Sequence, residues 1–246
     1  MVQEAGQDVQ RAELTRLREE IAHLRGVVLE MSSLITERLL EPESVDQLIK
    51  KGWIASRPTS ARTWNEVMTG DEFIGLVRRY AGDDLGRLME IGPGYGRLMT
   101  TMQRDGVRFN DYLGVDLSAE SVKFLTGKFG SERIEYRNED FFTVDPGRTL
   151  DTIISSAVFL HFYPSVEPAM RRCHQLLREG GKLCFDVGRG SGNKYVDAQF
   201  KIFVRDYPNP DELRAFADKC GYRSCEVVAE REFRPGGPGW FVCATK

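Results

Sequence analysis

A short apolar run, Leu88-Met-Glu-Ile, feeds directly into Gly92-Pro-Gly-Tyr-Gly96, and Asp116 follows twenty residues later. This reads as a buried strand ending in a glycine turn that opens a helix. Glycines at 92, 94 and 96 remove the side chains that would keep a ligand from the backbone. Asp116 closes a second strand-like run, Tyr112-Leu-Gly-Val-Asp, which places its carboxylate at a strand's carboxyl end. Open α/β sheets bind nucleotides there, and an acid at that point can accept hydrogen bonds from both ribose hydroxyls.

Spacing separates two ligand classes. Dinucleotide sites carry G-x-G-x-x-G with a pyrophosphate on the helix N-terminus. Here the pattern is G-x-G-x-G, with Glu90 two residues before the first glycine. An acid beside the loop suits an amine or sulfonium cation better than a pyrophosphate. In these residues the chain resembles the class I S-adenosylmethionine-dependent methyltransferases, whose first motif is E/D-x-G-x-G-x-G.

The resemblance implies a site, residue by residue. Glu90, Gly92, Pro93, Gly94 and Gly96 match the loop beside the methionine portion of S-adenosylmethionine. Asp116 matches the ribose-binding acid, and Leu117 would pack on the adenine. Asp140 and Phe141 match the acidic-then-apolar pair after the third strand, the carboxylate accepting from the adenine amino group. Ala157 sits where a backbone carbonyl holds the methionine amine. Asp116 as a helix N-cap and Asp140 as a solvated turn acid are the structural alternatives.

Downstream segments support one fold. Helical patterning spans 118–127, a third strand begins at Ile134, and Asp151 to Phe159 is an apolar fourth strand. A helix over 166–178 stops at Gly180-Gly181, and Lys182 to Val187 is a fifth strand. Such alternation predicts a parallel sheet covered on both faces. Beyond the helix Asp211–Cys220, the strands Cys225–Glu232 and Trp240–Ala244 flank Pro235-Gly-Gly-Pro-Gly and should pair antiparallel. The expected fold is α/β and Rossmann-like, a mostly parallel seven-stranded sheet with a C-terminal antiparallel hairpin, as the resemblance also implies.

The acceptor is read after the fourth strand. Enzymes methylating exocyclic amines of bases carry N/D-P-P-Y/F there, and cytosine-C5 enzymes carry Pro-Cys. Ser155-Ser-Ala-Val-Phe-Leu-His-Phe162 matches neither, which points away from nucleic acid and towards a hydroxyl on a sugar, glycan or other small molecule. His161 is the candidate base for that hydroxyl, with turn-capping or pocket-lining as the structural alternative. Gly188 to Tyr195 and Trp64 are candidates for a lid over the acceptor. Asp186 and Asp206 are too scattered to predict a metal.

Ahead of this domain, Leu14, Leu17, Ile21, Leu24, Val28, Met31 and Ile35 alternate steps of three and four. This is a heptad seam with mostly β-branched a positions, favouring a parallel two-stranded coil. Glu13 and Glu20 fall at g, opposite Arg18 and Arg25 at e. Val27 and Leu34 widen the stripe and Gly26 weakens the helix, which would suit packing on the chain's own domain instead. The expected organisation is a helical oligomerisation segment at 1–40, a connector at 41–59 and the methyltransferase domain at 60–246. A helix with a capping box at Thr69-Gly-Asp-Glu72 runs to Ala81.

A net charge of −3 shows no basic stripe for nucleic acid, and no apolar run approaches a membrane span. Five cysteines without a C-x-x-C pair fit reduced thiols in the cytoplasm. A methyltransferase-like scaffold acting through its coil is the alternative to an enzyme, and a nicotinamide oxidoreductase is disfavoured by the glycine spacing and the hairpin.

Overall fold

The computed structural model describes residues 13–21, 23–24, 27, 31, 42–54, 70–190, 193–194, 203–234 and 237–246. A seven-stranded sheet runs in the order β3-β2-β1-β4-β5-β9-β8. Its strands are β1 (Arg87–Ile91), β2 (Asp111–Val115), β3 (Ile134–Arg137), β4 (Leu150–Ser155), β5 (Leu177–Gly188), β8 (Ser224–Arg234) and β9 (Gly237–Thr245). The first five pair parallel, whereas β9 pairs antiparallel with both β5 and β8. Two short strands, β6 (Asn193–Lys194) and β7 (Val204–Arg205), form a separate antiparallel pair.

Alternation along the strands builds two cores. Leu88 of β1 joins Phe73, Ile74 and Val77 of α2 (Asp71–Ala81), Leu98, Met99 and Met102 of α3 (Arg97–Arg104), and Leu125 of α4 (Ala119–Phe129). Met89 and Ile91, on the other face, join Ala169, Met170 and Cys173 of α5 (Glu167–Leu176) and Leu213 and Ala217 of α6 (Pro210–Cys220). A period of two thus feeds helices on both sides, as right-handed crossovers between parallel strands require.

Several boundaries differ from the sequence reading, each for a local reason. Residues read as a connector form a helix, α1 (Pro42–Ile54). Val45, Ile49 and Trp53 stand four apart, so they line one face, where they pack with Phe203 and Tyr163. Helix α2 begins at Asp71 with Gly70 as its N-cap; Thr69 of the expected capping box and Trp64 lie outside the described residues. Strand β4 ends at Ser155, because Ala157 takes φ +61° and turns the chain into a 3-10 turn at Phe159–His161. Gly180-Gly181 does not stop α5, which ends at Leu176; the pair is absorbed where β5 shifts register against β4.

The N-terminal residues described are helical, and Leu14, Leu17, Ile21, Leu24 and Met31 are all exposed. Val28 and Ile35 of the heptad seam, and Leu34 of the wider stripe, lie outside the described residues. Among the described residues no helix is long and apolar enough to cross a membrane.

Candidate active site

The carboxyl ends of β1, β2, β4 and β5 converge on the glycine turn. Gly92 continues the ladder by donating to the Val115 carbonyl at 2.9 Å. Its φ is +66°, and a Cβ there would lie 2.6 Å from Val158 Cγ2, so only glycine lets the turn after β4 approach this closely. Pro93 is buried beside it. Gly94, at φ +57°, meets nothing within 4 Å of a would-be Cβ, so the backbone presents an open face at that point. Gly96 ends the turn as the N-cap of α3.

Asp116 clips this turn to β2. Its Oδ2 accepts the Gly94 amide at 3.1 Å and its Oδ1 the Ser118 amide at 2.8 Å. Burial raises its carboxyl above the ordinary range, and the two amides oppose that rise. The N-cap of α4 is Ser118, whose hydroxyl accepts from Ser121, so Asp116 is not serving as that cap. Leu117 is half-buried next to it.

Glu90 is 2% exposed and accepts the Tyr112 hydroxyl at 2.6 Å. Burial pushes its carboxyl up to about 7; the Tyr112 bond and the Arg97 guanidinium pull it down, and Asp116 pushes the same way as burial. Desolvation outweighs one hydrogen bond and one partial neighbour.

After β3, Asn138 Nδ2 donates to the Asp116 carbonyl at 3.0 Å, tying that turn to the site. Asp140 accepts the Phe142 amide at 2.9 Å and pairs with Lys50 of α1 at 2.8 Å. Phe141 is buried in the core against Phe142 and Phe162, while half-buried Phe142 lies 5.5 Å beneath the Lys50 ammonium.

After β4, the Ala157 amide and the Ser156 hydroxyl both donate to Asp186 of β5. His161 sits on the 3-10 turn, its ring 4.9 Å from Trp53 and its Nδ1 2.8 Å from the Phe203 carbonyl. A carbonyl only accepts, so Nδ1 carries the proton and Nε2 is the basic nitrogen of the neutral ring.

The structure therefore gathers Glu90, the glycine turn, Asp116 and Ala157 at one end of the sheet, with Asp140 linked through Asn138. Sequence reasoning missed Arg97, Ser156 and Asp186 acting together, and it missed α1. The first group was invisible because its contacts cross strands. The helix had a signal, the four-residue spacing of Val45, Ile49 and Trp53. Among the described residues no three His, Cys, Asp or Glu side chains form a metal-holding group.

Residues 89–185 match the model of a methyltransferase domain. A probable thiol methyltransferase of Arabidopsis thaliana is 27% identical over 184 residues, spanning 72% of this chain and 78% of that protein. The 1,6-didemethyltoxoflavin-N1-methyltransferase of Burkholderia thailandensis superimposes with a TM-score of 0.67 at 18% identity, covering 85% of this chain and 91% of its own. An amino pentose methyltransferase of Micromonospora echinaspora does so with a TM-score of 0.54 at 18% identity, covering 78% and 98%. The matched stretch runs from β1 through the glycine turn into β5, so this part of the chain is a methyltransferase domain, and its fold is that of the class I S-adenosylmethionine-dependent enzymes.

Proposed function

We propose that this protein is an O-methyltransferase, moving a methyl group from S-adenosylmethionine to a hydroxyl of a sugar, glycan or other hydroxylated small molecule. The observation that carries the acceptor reading is the 2.8 Å contact between His161 Nδ1 and the Phe203 carbonyl. With Nδ1–H held on the Phe203 carbonyl, Nε2 is the nitrogen that can take a hydroxyl proton.

The residues present fit the cofactor. Gly94 leaves open space where a side chain would otherwise stand, and Asp116 retains acceptor capacity beyond its two amide bonds. Asp140 is an acceptor in the turn beside Asp116, and Glu90 is an acid under the loop. When bound, S-adenosylmethionine supplies a methyl carbon on a sulfonium, whose C–S bond breaks with its electron pair left on sulfur. His161 Nε2 accepts the proton as the acceptor oxygen bonds to that carbon. The glycine turn and Asp116 would hold the cofactor, and orientation supplies much of the rate of such a transfer. Trp53, Phe203 and Tyr163 form an aromatic cluster beside His161.

In this reading the enzyme is cytosolic, and its N-terminal helix pairs it with a second copy through the exposed heptad face. A scaffold role through the same helix is the second reading, favoured only by that exposed face. Similar proteins include an N1-methyltransferase and a probable thiol methyltransferase, and product analysis separates nitrogen and sulfur acceptors from oxygen.

Labelled methyl from S-adenosylmethionine should enter the carbohydrate or small-metabolite fraction of a host-cell extract, and Asp116→Ala should abolish it. Product mass spectrometry then locates the methyl on oxygen, nitrogen or sulfur. Label in protein or nucleic acid would refute the acceptor assignment. Tight cofactor binding with no label in any fraction would favour the scaffold.

A further inference from the structure

Asp186 is 1% exposed at the end of β5, and the methyl-transfer chemistry above makes no use of it. The register pairs Ser155 with Phe185, which sets Ser156 and Ala157 beside Asp186. Its Oδ1 accepts the Ala157 amide at 2.5 Å, and its Oδ2 accepts the Ser156 hydroxyl. That hydroxyl in turn accepts from Arg97 Nη2 at 2.6 Å, and Arg97 is the first residue after the glycine turn.

Ala157 is the one non-glycine residue with positive φ among those described. A side chain bearing a Cβ resists that conformation, so something must hold it. Nothing in its own side chain can, whereas Asp186 holds its amide. Because this peptide is trans, an Ala157 N–H turned inward to Asp186 turns the Ser156 carbonyl the opposite way, off the strand end.

We propose that Asp186 is a positioning residue, which through the Ala157 amide and Ser156 holds the turn after β4 so that it presents backbone carbonyls to the ammonium of the cofactor's methionine end. This rests on the S-adenosylmethionine reading of the site and deepens it. Burial pushes the Asp186 carboxyl up to about 6 against the pull of Ser156, Ala157 and Arg97. An apolar side chain here would leave the Ala157 amide and the Ser156 hydroxyl without their acceptor. Arg97 carries the same network to the glycine turn, so one chain of bonds sets the loop and the turn against each other.

Calorimetric binding of S-adenosylhomocysteine and of 5′-methylthioadenosine tests this directly. Both carry the adenosine and the thioether, but only the first carries the amino-acid end. Asp186→Leu should weaken the homocysteine compound about tenfold or more and methylthioadenosine by less than about twofold. Ala157→Gly in the Asp186→Leu background should restore several-fold, because glycine takes a positive φ without help. Asp186→Asn keeps an acceptor for the Ala157 amide and should show a smaller loss, again confined to the homocysteine compound. That variant decides the matter if Asp186→Leu does not fold by circular dichroism. Equal losses for both compounds, or no loss, would overturn the positioning role. Wild-type protein that binds neither would overturn the cofactor reading and this proposal together.

Discussion

Glu90 lies almost wholly buried beside the glycine turn, where the loss of water raises its carboxyl from 4.5 to about 7. The acid is therefore neutral below pH 7 and charged above it. A ligand bearing a sulfonium and an ammonium favours the charged form, so S-adenosylmethionine affinity should rise with pH through about 7. Asp186 titrates nearby, at about 6, and Glu90→Gln is the control that separates them. In that variant the pH slope near 7 should flatten. The same shift has a stability consequence of opposite sense. Between pH 4.5 and 7 the folded chain holds a proton that the unfolded chain has released, so raising the pH removes stability. The limit for a shift of this size is roughly 3 kcal/mol. Ligand-free Glu90→Gln should match the wild type in Tm near pH 4.5 and exceed it at pH 8; equal Tm values at pH 8 would refute the burial argument. At this scale the glycine turn, Glu90 and Asp116 were legible, because their spacing lies along a single stretch of chain. Asp186, Ser156 and Arg97 were not, since nothing in the sequence around 186 says which strand end it will face.

Helix α1 shows how an element is lost to sequence reading and what then holds it. Residues 41–59 read as a connector, yet Pro42 is the first residue of the helix, where a missing N–H costs nothing. Tertiary contacts decide the rest. Val45, Ile49 and Trp53 bury against Phe203 and Tyr163, while Lys50 bridges Asp46 and Asp140. Lys50 is about a fifth exposed at its side chain and Asp140 about a quarter, so the ion pair is partly shielded from solvent. Its two acidic partners raise the Lys50 ammonium's pKa against the opposing effect of burial. Partly screened pairs contribute up to about 1 kcal/mol. Lys50→Met should therefore raise hydrogen exchange of the 45–53 amides by about fivefold, with α3 and α5 unchanged. Trp53→Ala should raise it further, because the apolar face carries more than the pair. If Lys50→Met leaves exchange untouched, the ion pair is incidental and the apolar face alone seats the helix. The strands were easier to read than α1 or the turn after β4. A strand's period of two survives on a single chain, whereas the end of β4 is set by Asp186 across the sheet.

On the whole molecule, the parallel strands β1 to β5 and the antiparallel end of the sheet follow from two legible facts, the β–α alternation and the terminal hairpin. The N-terminal helix is a separate matter. Leu14, Leu17, Ile21, Leu24 and Met31 are between 48% and 60% exposed, at the spacing of a heptad seam. Five large apolar side chains along one line make a face that a second copy of the same helix would cover. Glu13 and Glu20 at g would meet Arg18 and Arg25 at e of a parallel partner, which sets orientation while contributing little energy. A seam of about three heptads is short, so the dimer should be weak, with a dissociation constant on the order of micromolar. Sedimentation velocity should show a concentration-dependent shift from one chain to two. Leu17→Asp with Leu24→Asp places like charges at two successive d positions and should leave a single-chain species at every concentration. Both residues lie outside residues 89–185, the matched methyltransferase domain, so labelled methyl transfer by this variant should stay within about twofold of the wild type. A wild type that remains a monomer at high concentration would place that apolar face elsewhere, on a different partner or on its own domain, and would refute pairing through the seam.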